Sequence, residues 1–354
     1  MTSNLLSHIN TILEATGTVP YSIDKLTIND VLSMRDYAIG VEHLVSSLTL
    51  LSDHPNKIAY LEADSEEYTN ILYRASSSKG YNPFLLTPGE RVAQGVSNIS
   101  TRLISDILPS WRSIPKRNNS IICTNDYYET LEYVSYGLRR KGVVYIVIPP
   151  NDARITISPG IDFWYTFKYL SKETGLRSLD LTSNSLQVFF GFFYYIVDRD
   201  LISDVSPEWP AELLKIKKKT QVSSSKYTKM AEKLFLSGNK SAILRVFNAV
   251  DQALSNKGFR DAAERIYDTY AGTKPQAAMG HYIISKKSAN SSISIIDILD
   301  DLYNPEKNGF NSILYSQFVE KNFPNCEMWT DKPCIFVEVG NVKFLTQLYH
   351  KLRG

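Results

Sequence analysis

Four side chains of this sequence have types that suit the binding of an anionic ligand and the stabilisation of positive charge. Arg74 lies in the run ILYRAS, and Ser120 and Thr124 stand at the two ends of the run SIICT. Glu327 lies far downstream, in NCEMW. A guanidinium forms paired hydrogen bonds with phosphate oxygens, and a carboxylate stabilises positive charge that develops on a sugar. The residue types alone specify neither the ligand nor the reaction.

Several other kinds of site have no signature in the sequence. It contains no GxxxxGK[ST] phosphate loop, no GxGxxG fingerprint and no GxSxG nucleophile elbow. The histidines lack paired ligand spacing and the cysteines form no CxxC, so we expect no structural zinc site. Cys123, Cys326 and Cys334 stand in apolar runs, which predicts buried, reduced thiols.

The elements that would position Arg74 and the two hydroxyls follow one another in a simple order. Arg74 lies on a predicted strand over residues 70–75, and SIICT is a second strand. An amphipathic helix follows, with Asp126 and Glu129 in a helix-start pattern. Two more strands, VVYIVI and ARITIS, complete this block and predict a compact scaffold.

Glu327 belongs to the C-terminal part of the chain. The run CEMWTDKPCIFVEVGN predicts a hairpin around residues 330–333, followed by a final helix over 342–352. Near the N-terminus, Thr27 followed by Asp30 is typical of a helix start, and the apolar spacing after it predicts a helical layer.

This order of an arginine strand, a hydroxyl strand and a glutamate strand resembles the ADP-ribosyltransferase family, in its branch with an Arg, Ser/Thr and Glu triad. Leu72-Tyr73-Arg74 is similar to the Leu-Tyr-Arg that often stands on the first strand of that family. The resemblance covers about residues 68–160 and 320–340. It implies that NAD is the substrate and that ADP-ribose passes to a protein or nucleic-acid acceptor as nicotinamide leaves.

The resemblance also implies a role for each candidate. Arg74 would hold the phosphates and ribose of NAD, Ser120 or Thr124 would brace the nicotinamide pocket, and Glu327 would be the catalytic glutamate on the adjacent ribose. Many members carry Glu-x-Glu or Gln-x-Glu where this chain has Asn325-Cys326-Glu327, which leaves the acceptor-binding residue open. Glu338, in FVEVG, is a competing candidate for the glutamate.

Each of these residues also has an ordinary structural interpretation. Arg74 at a strand end is suited to the surface or to an ion pair. Thr124-Asn125-Asp126 would serve as a capping turn without any ligand, and Glu327 beside a hairpin would be solvated. Fold-level analogy is weak support for a site, so both interpretations stay open.

Two other function classes remain open beside the enzyme. A basic run, with lysines at Lys215, Lys217, Lys218 and Lys219, favours a weak contact with nucleic acid. A structural or interaction protein of a virion, with a catalytically inactive transferase-like fold, is the other alternative. The composition, rich in Ser, Asn, Tyr and Ile, resembles that of large bacteriophage proteins.

The bulk properties are those of an ordinary globular protein. The chain has 354 residues and a net charge of +2, which indicates neither a strong nucleic-acid binder nor a membrane-surface protein. The N-terminus lacks the pattern of a signal peptide, and the most apolar run, residues 188–197, is about half the ~20 residues of a membrane span. We expect no membrane association and a cytoplasmic location, in the host cytoplasm or the virion if a phage encodes the chain.

Together these patterns predict the α+β class, with a small split β-sheet domain similar to ADP-ribosyltransferases. Residues 1–56 form a predicted N-terminal helical region. Residues 57–165 and 320–354 form the predicted transferase-like domain, and residues 166–319 a mainly helical insertion. An NAD-dependent ADP-ribosyltransferase is the favoured function.

Overall fold

The computed structural model describes residues 23–50, 58–60, 70–77, 82–89, 101–136, 142–163, 166–175, 239–255, 257, 260–261 and 275–353. The chain divides into two compact units. The first unit comprises Met1–Ala93, Ile114–Phe163 and Gly309–Gly354. The second comprises Gln94–Ser113 and Trp164–Asn308. The lysines at 215–219 and the apolar run at 188–197 lie outside the described residues.

The first unit is organised around a nine-stranded antiparallel sheet. The described strands of the unit are β1 (Ile23–Lys25), β2 (Leu48–Leu50), β3 (Ile58–Tyr60), β4 (Leu72–Ser77), β5 (Phe84–Leu86), β6 (Ile121–Thr124), β7 (Gly142–Ile148), β8 (Arg154–Ile157), β9 (Asn311–Leu314), β10 (Glu327–Thr330) and β11 (Cys334–Glu338). The large sheet has the order β1-β5-β11-β7-β4-β6-β10-β8-β9, and β2 pairs with β3 separately.

The mixed α+β class is confirmed, but the prediction of a small sheet is wrong. The extra width comes from the edges, where β1, β5 and β9 are strands of three or four residues. Such short strands carry too few residues to show an alternating pattern. β1 lies in the segment predicted as helical, and β9 in the range predicted as a mainly helical insertion.

The predicted C-terminal hairpin is also wrong. Both strands exist, but β10 pairs with β6 and β8, whereas β11 pairs with β5 and β7. Their neighbourhood in sequence suggested pairing. Because nearly every residue of both strands is buried, each strand is instead stabilised inside the sheet between two neighbours.

The described helices range from 4 to 16 residues, and several begin at capped positions. They are α1 (Ile28–Ser33), α2 (Ala38–Ser47), α3 (Tyr127–Tyr136), α4 (Lys168–Thr174), α5 (Lys240–Ser255), α6 (Pro275–Ala289), α7 (Ile295–Leu302), α8 (Tyr315–Phe318) and α9 (Val342–Arg353). The predicted helix start at Thr27 is confirmed, because Thr27 Oγ1 accepts from Asp30 N and Asp30 Oδ2 accepts from Thr27 N. The predicted final helix is confirmed as α9.

Apolar side chains cover both faces of the sheet. Tyr73, Ile146 and Val337 belong to the core on what we call the first face, where α1, α2, α3 and α9 pack. Leu72 and Tyr145, their neighbours along the strands, belong to the core on the second face. This alternation determines which polar side chains can meet, since residues on opposite faces are separated by the sheet.

The second unit contains α4 to α7 and has its own buried polar contacts. Trp111 Nε1 donates to the carbonyl of Tyr303 at 2.8 Å. Lys287, almost fully buried, forms an ion pair with Asp251 at 2.6 Å, and the same Asp251 oxygen accepts from Ile295 N at the start of α7. Within the part of the chain that the structure describes, no helix is long and apolar enough to cross a membrane.

Candidate functional site

The three strands that carry the predicted site residues are neighbours in the sheet. β4 pairs with β6, and β6 pairs with β10. Thr124 lies opposite Tyr73 on one side and opposite Glu327 on the other. Residues directly opposite in an antiparallel pair project to the same face with their Cβ atoms about 5 Å apart. Thr124 and Glu327 therefore lie side by side on the first face.

Arg74 lies on the second face instead. It follows Tyr73 along β4 and stands opposite Tyr145, a residue of the second-face core. Its Nη1 atom donates to the backbone carbonyl of Ile122 at 2.7 Å. The sheet thus separates Arg74 from Glu327, and the structure does not bring the predicted arginine and glutamate together.

The competing glutamate, Glu338, shares the face of Arg74. It stands opposite Tyr145 from the other side, because β7 lies between β4 and β11. Its Oε2 atom accepts from Asn82 Nδ2 at 3.4 Å, and its backbone N–H donates to Asn82 Oδ1 at 2.9 Å. The two candidate glutamates therefore belong to opposite faces of the same sheet.

The two predicted hydroxyls bind the backbone of adjacent turns. Ser120 is buried, and its Oγ donates to the carbonyl of Lys116 at 2.7 Å. Thr124 Oγ1 accepts from the backbone N–H of Asp126 at 3.1 Å, in the turn that leads into α3. Asp126 Oδ1 then accepts from Glu129 N at 3.0 Å, so the predicted helix start is confirmed.

Glu327 is buried, not solvated as its structural interpretation expected: only 3% of it is exposed. Its carboxylate receives two hydrogen bonds from one guanidinium, Arg117 Nε to Oε1 at 2.7 Å and Arg117 Nη2 to Oε2 at 3.1 Å. Phe163 N donates a third bond, to Oε2 at 3.4 Å. A two-point pair of this kind fixes both the position and the orientation of the carboxylate.

Arg117 is a site residue that the sequence did not reveal. It lies in the 3-10 turn Arg117–Asn119, just before β6, with its guanidinium 5.1 Å from the centre of the Phe163 ring. Burial lowers the pKa of this guanidinium, but the charge and hydrogen bonds of Glu327, with the charge of Asp162, outweigh it and hold the pKa above its ordinary value. The only signal in the sequence was an arginine three residues before Ser120.

Glu129 is the second functional candidate that the sequence did not reveal. The sequence analysis assigned it only to the helix start with Asp126. It lies in the first turn of α3, and its Oε2 atom is buried without a hydrogen-bond partner. Burial, followed by the negative charges of Asp126, Glu327 and Asp162, raises the pKa of the Glu129 carboxyl to about 7. A carboxyl in this state holds or releases its proton near neutral pH.

Two asparagines join the turn after β6 to the segment before β10. Asn125 Nδ2 donates to the carbonyl of Phe323 at 3.1 Å, and Asn125 Oδ1 accepts from Cys326 N at 3.0 Å. Asn325 Nδ2 donates to Asp126 Oδ2 at 2.7 Å, so the Asn325 side chain is bound within the chain. These bonds connect the backbone that carries Glu129 to the backbone that carries Glu327.

The predicted buried thiols are confirmed. Cys123, Cys326 and Cys334 are free and buried. Burial is the main cause that raises the pKa of Cys123 and of Cys326 to about 12, and it also holds the pKa of Cys334 well above its ordinary value. Thiols of this kind are poor nucleophiles at neutral pH.

The chemistry of the site is therefore that of two carboxyls and a guanidinium. Among the residues that the structure describes, no three His, Cys, Asp or Glu side chains are placed to hold a metal ion.

Comparison of the chain with known protein families, with curated proteins and with solved structures finds no match.

Proposed function

We propose that this protein transfers ADP-ribose from NAD to a macromolecular acceptor with release of nicotinamide, and that Glu327 is its catalytic carboxylate. One observation carries the proposal: β4, β6 and β10, which bear the family-like motifs, are hydrogen-bonded neighbours although they are far apart in the sequence. This adjacency puts Thr124 beside Glu327 on the first face, whereas Arg74 lies on the second face.

The chemistry assigned to Glu327 follows from its surroundings. Breaking the bond between ribose and nicotinamide develops positive charge on the ribose, and a fixed carboxylate stabilises that charge. Arg117 keeps the Glu327 carboxylate oriented.

The test is the release of nicotinamide from NAD by the purified full-length protein, with Glu327→Gln and the matched variant Glu338→Gln. We expect Glu327→Gln to lower the rate by about 10²-fold or more, as the loss of an electrostatic group at a transition state does. Glu338→Gln should keep the wild-type rate. Thermal melting of both variants controls for folding.

Each other outcome has a defined meaning. A loss of activity in Glu338→Gln alone would move the site to the second face, with Arg74. Equal rates for the wild type and both variants would contradict the assignment of a catalytic glutamate. A wild-type protein that releases no nicotinamide would overturn the proposed function.

A second candidate function, a structural protein with an inactive transferase-like fold, is favoured by the closure of the Glu327 carboxylate. Both of its oxygens accept bonds from Arg117, and almost none of the side chain is exposed. This candidate predicts no stabilisation of the protein by NAD and stable self-association on gel filtration. Melting with and without NAD therefore separates the two functions.

A third outcome covers the nucleic-acid alternative, whose lysines lie outside the described residues. It predicts binding to single-stranded nucleic acid that weakens steeply with salt. Replacing Lys217, Lys218 and Lys219 by Gln should reduce that salt dependence, while nicotinamide release stays unchanged.

A further inference from the structure

The two carboxyls near the end of β6 have opposite surroundings. Glu327 receives hydrogen bonds from a guanidinium, whereas Glu129 has a buried oxygen with no partner. Two carboxyls in different surroundings commonly take different roles in one site. In the proposed site, Glu327 is held in an ion pair with Arg117, and Glu129 fits the role of a proton carrier.

Negative charges face Glu129 from several elements. Asp126 precedes it in the turn before α3 and Glu132 follows it on the helix, while Glu327 faces it from β10 and Asp162 from the segment after β8. The cation of this group, Arg117, is bound to Glu327. The arrangement opposes a further negative charge on Glu129 and leaves its carboxyl ready to exchange a proton near neutrality.

Two neighbouring carboxylates differ from Glu129 in their hydrogen bonds. Asp126 uses Oδ1 to accept from Glu129 N and Oδ2 to accept from Asn325 Nδ2. Glu327 uses both oxygens to accept from Arg117. Neither carboxylate therefore leaves an oxygen without a partner, in contrast to Glu129.

We propose that Glu129 is the proton acceptor of the site and that the acceptor substrate presents a nucleophile that carries a proton. This inference rests on the proposed function. The bond between ribose C1′ and the nicotinamide nitrogen breaks, and its electron pair leaves with neutral nicotinamide. The nucleophilic atom of the acceptor forms a bond to C1′, and its proton passes to the Glu129 carboxylate. An acceptor carboxylate would carry no proton and would need no such group.

The experiment measures the rate of ADP-ribose transfer against pH for the wild type, Glu129→Gln and Glu132→Gln. Glu132 lies one turn later on the same helix and is exposed, so its variant is the matched control. The wild-type rate should rise about tenfold per pH unit and level off above about pH 7. Glu129→Gln should lose this rise and about 10²-fold of the plateau rate. Glu132→Gln removes only the smallest of the charges that raise the pKa of Glu129, so it should keep the plateau rate and move the rise only slightly to lower pH.

Failure of the inference and failure of the proposed function give different results. If the wild type turns over NAD but Glu129→Gln keeps its rate and profile, Glu129 is not the proton acceptor. If the product is an ester that hydroxylamine cleaves, the acceptor is a carboxylate, which carries no proton, and the role of Glu129 as proton acceptor is wrong. If the wild type releases no nicotinamide at any pH, the proposed function fails and the inference fails with it.

Discussion

Arg117 and Glu327 form a two-point ion pair, with distances of 2.7 Å and 3.1 Å, inside the first unit. The side chain of Arg117 is 13% exposed and that of Glu327 is 3% exposed, so solvent screens the pair weakly. Removing one partner of such a pair leaves an uncompensated buried charge, which is more costly than removing both. The pair therefore contributes to stability as well as to the proposed chemistry.

Arg117→Gln should lower the free energy of unfolding by about 3–5 kcal/mol, because it leaves Glu327 buried and unpaired. Urea unfolding followed by circular dichroism measures the change. Arg154→Gln, at an exposed arginine of the same unit, is the control and should cost about 0.5 kcal/mol or less. The double variant Arg117→Met with Glu327→Met should recover much of the loss. An Arg117→Gln protein as stable as Arg154→Gln would contradict the buried pair.

Glu129 should make the stability of the protein depend on pH. The pKa of its carboxyl is raised from its ordinary 4.5 to about 7, so the folded protein binds this proton more tightly than the unfolded chain. Its contribution is complete below about pH 4.5 and is lost as the pH rises through about 7.

Glu129→Gln removes that dependence. Between about pH 5 and pH 8, its stability should therefore rise relative to the wild type by about 1–2 kcal/mol, a figure reduced because the side chain is only partly buried. Urea unfolding at the two pH values measures the difference, and Glu132→Gln should follow the wild type. A constant difference between Glu129→Gln and the wild type would show that the carboxyl is not perturbed.

The three thiols should not react with a thiol reagent in the native protein at about pH 8. Cys123, Cys326 and Cys334 are buried, and burial raises the pKa of each thiol. The same reagent in concentrated guanidinium chloride is the control and should modify all three. Rapid modification of any thiol in native buffer would show that its part of the core opens readily.

The sequence predicted local features of the fold better than its long-range pairing. The helix starts at Thr27 and Asp126 depend on side chains within three residues, and both are confirmed. The pairing of β10 with β6 joins residues about two hundred positions apart, so no local pattern shows it. Adjacent strands in the sequence suggested a hairpin in its place.

The candidate site shows the same limit in its side chains. Resemblance selected the strands that carry Thr124 and Glu327, and the register places these two residues opposite each other. The resemblance could not show that Arg74 lies on the opposite face from Glu327. That placement depends on which residues of β4 pair with β6 and β7. Arg117 and Glu129 become candidates only in the folded chain, where Arg117 pairs with Glu327 and the charge of Glu327 acts on Glu129.

Asn125 should be the residue on which the relative position of the two carboxyls depends most. Its Nδ2 atom donates to the carbonyls of Phe323 and Pro324, at 3.1 Å and 3.3 Å, and its Oδ1 accepts from Cys326 N. Asn125→Ala leaves these buried backbone groups unpaired. It should therefore lower the free energy of unfolding by about 2–4 kcal/mol. Asn311→Ala, at an exposed asparagine, is the control.

Asn125→Asp tests the direction of these hydrogen bonds. The variant keeps the shape but places a second oxygen against the two carbonyls, so it should be at least as destabilised as Asn125→Ala at neutral pH. Protonation of the introduced carboxyl restores a donor, so the penalty should shrink as the pH falls from neutral to about 4, the ordinary pKa of an aspartate. Urea unfolding of both variants at the two pH values decides the matter. A penalty for Asn125→Asp that does not change with pH would show that Nδ2 is not the donor that joins the β6 turn to the β10 segment.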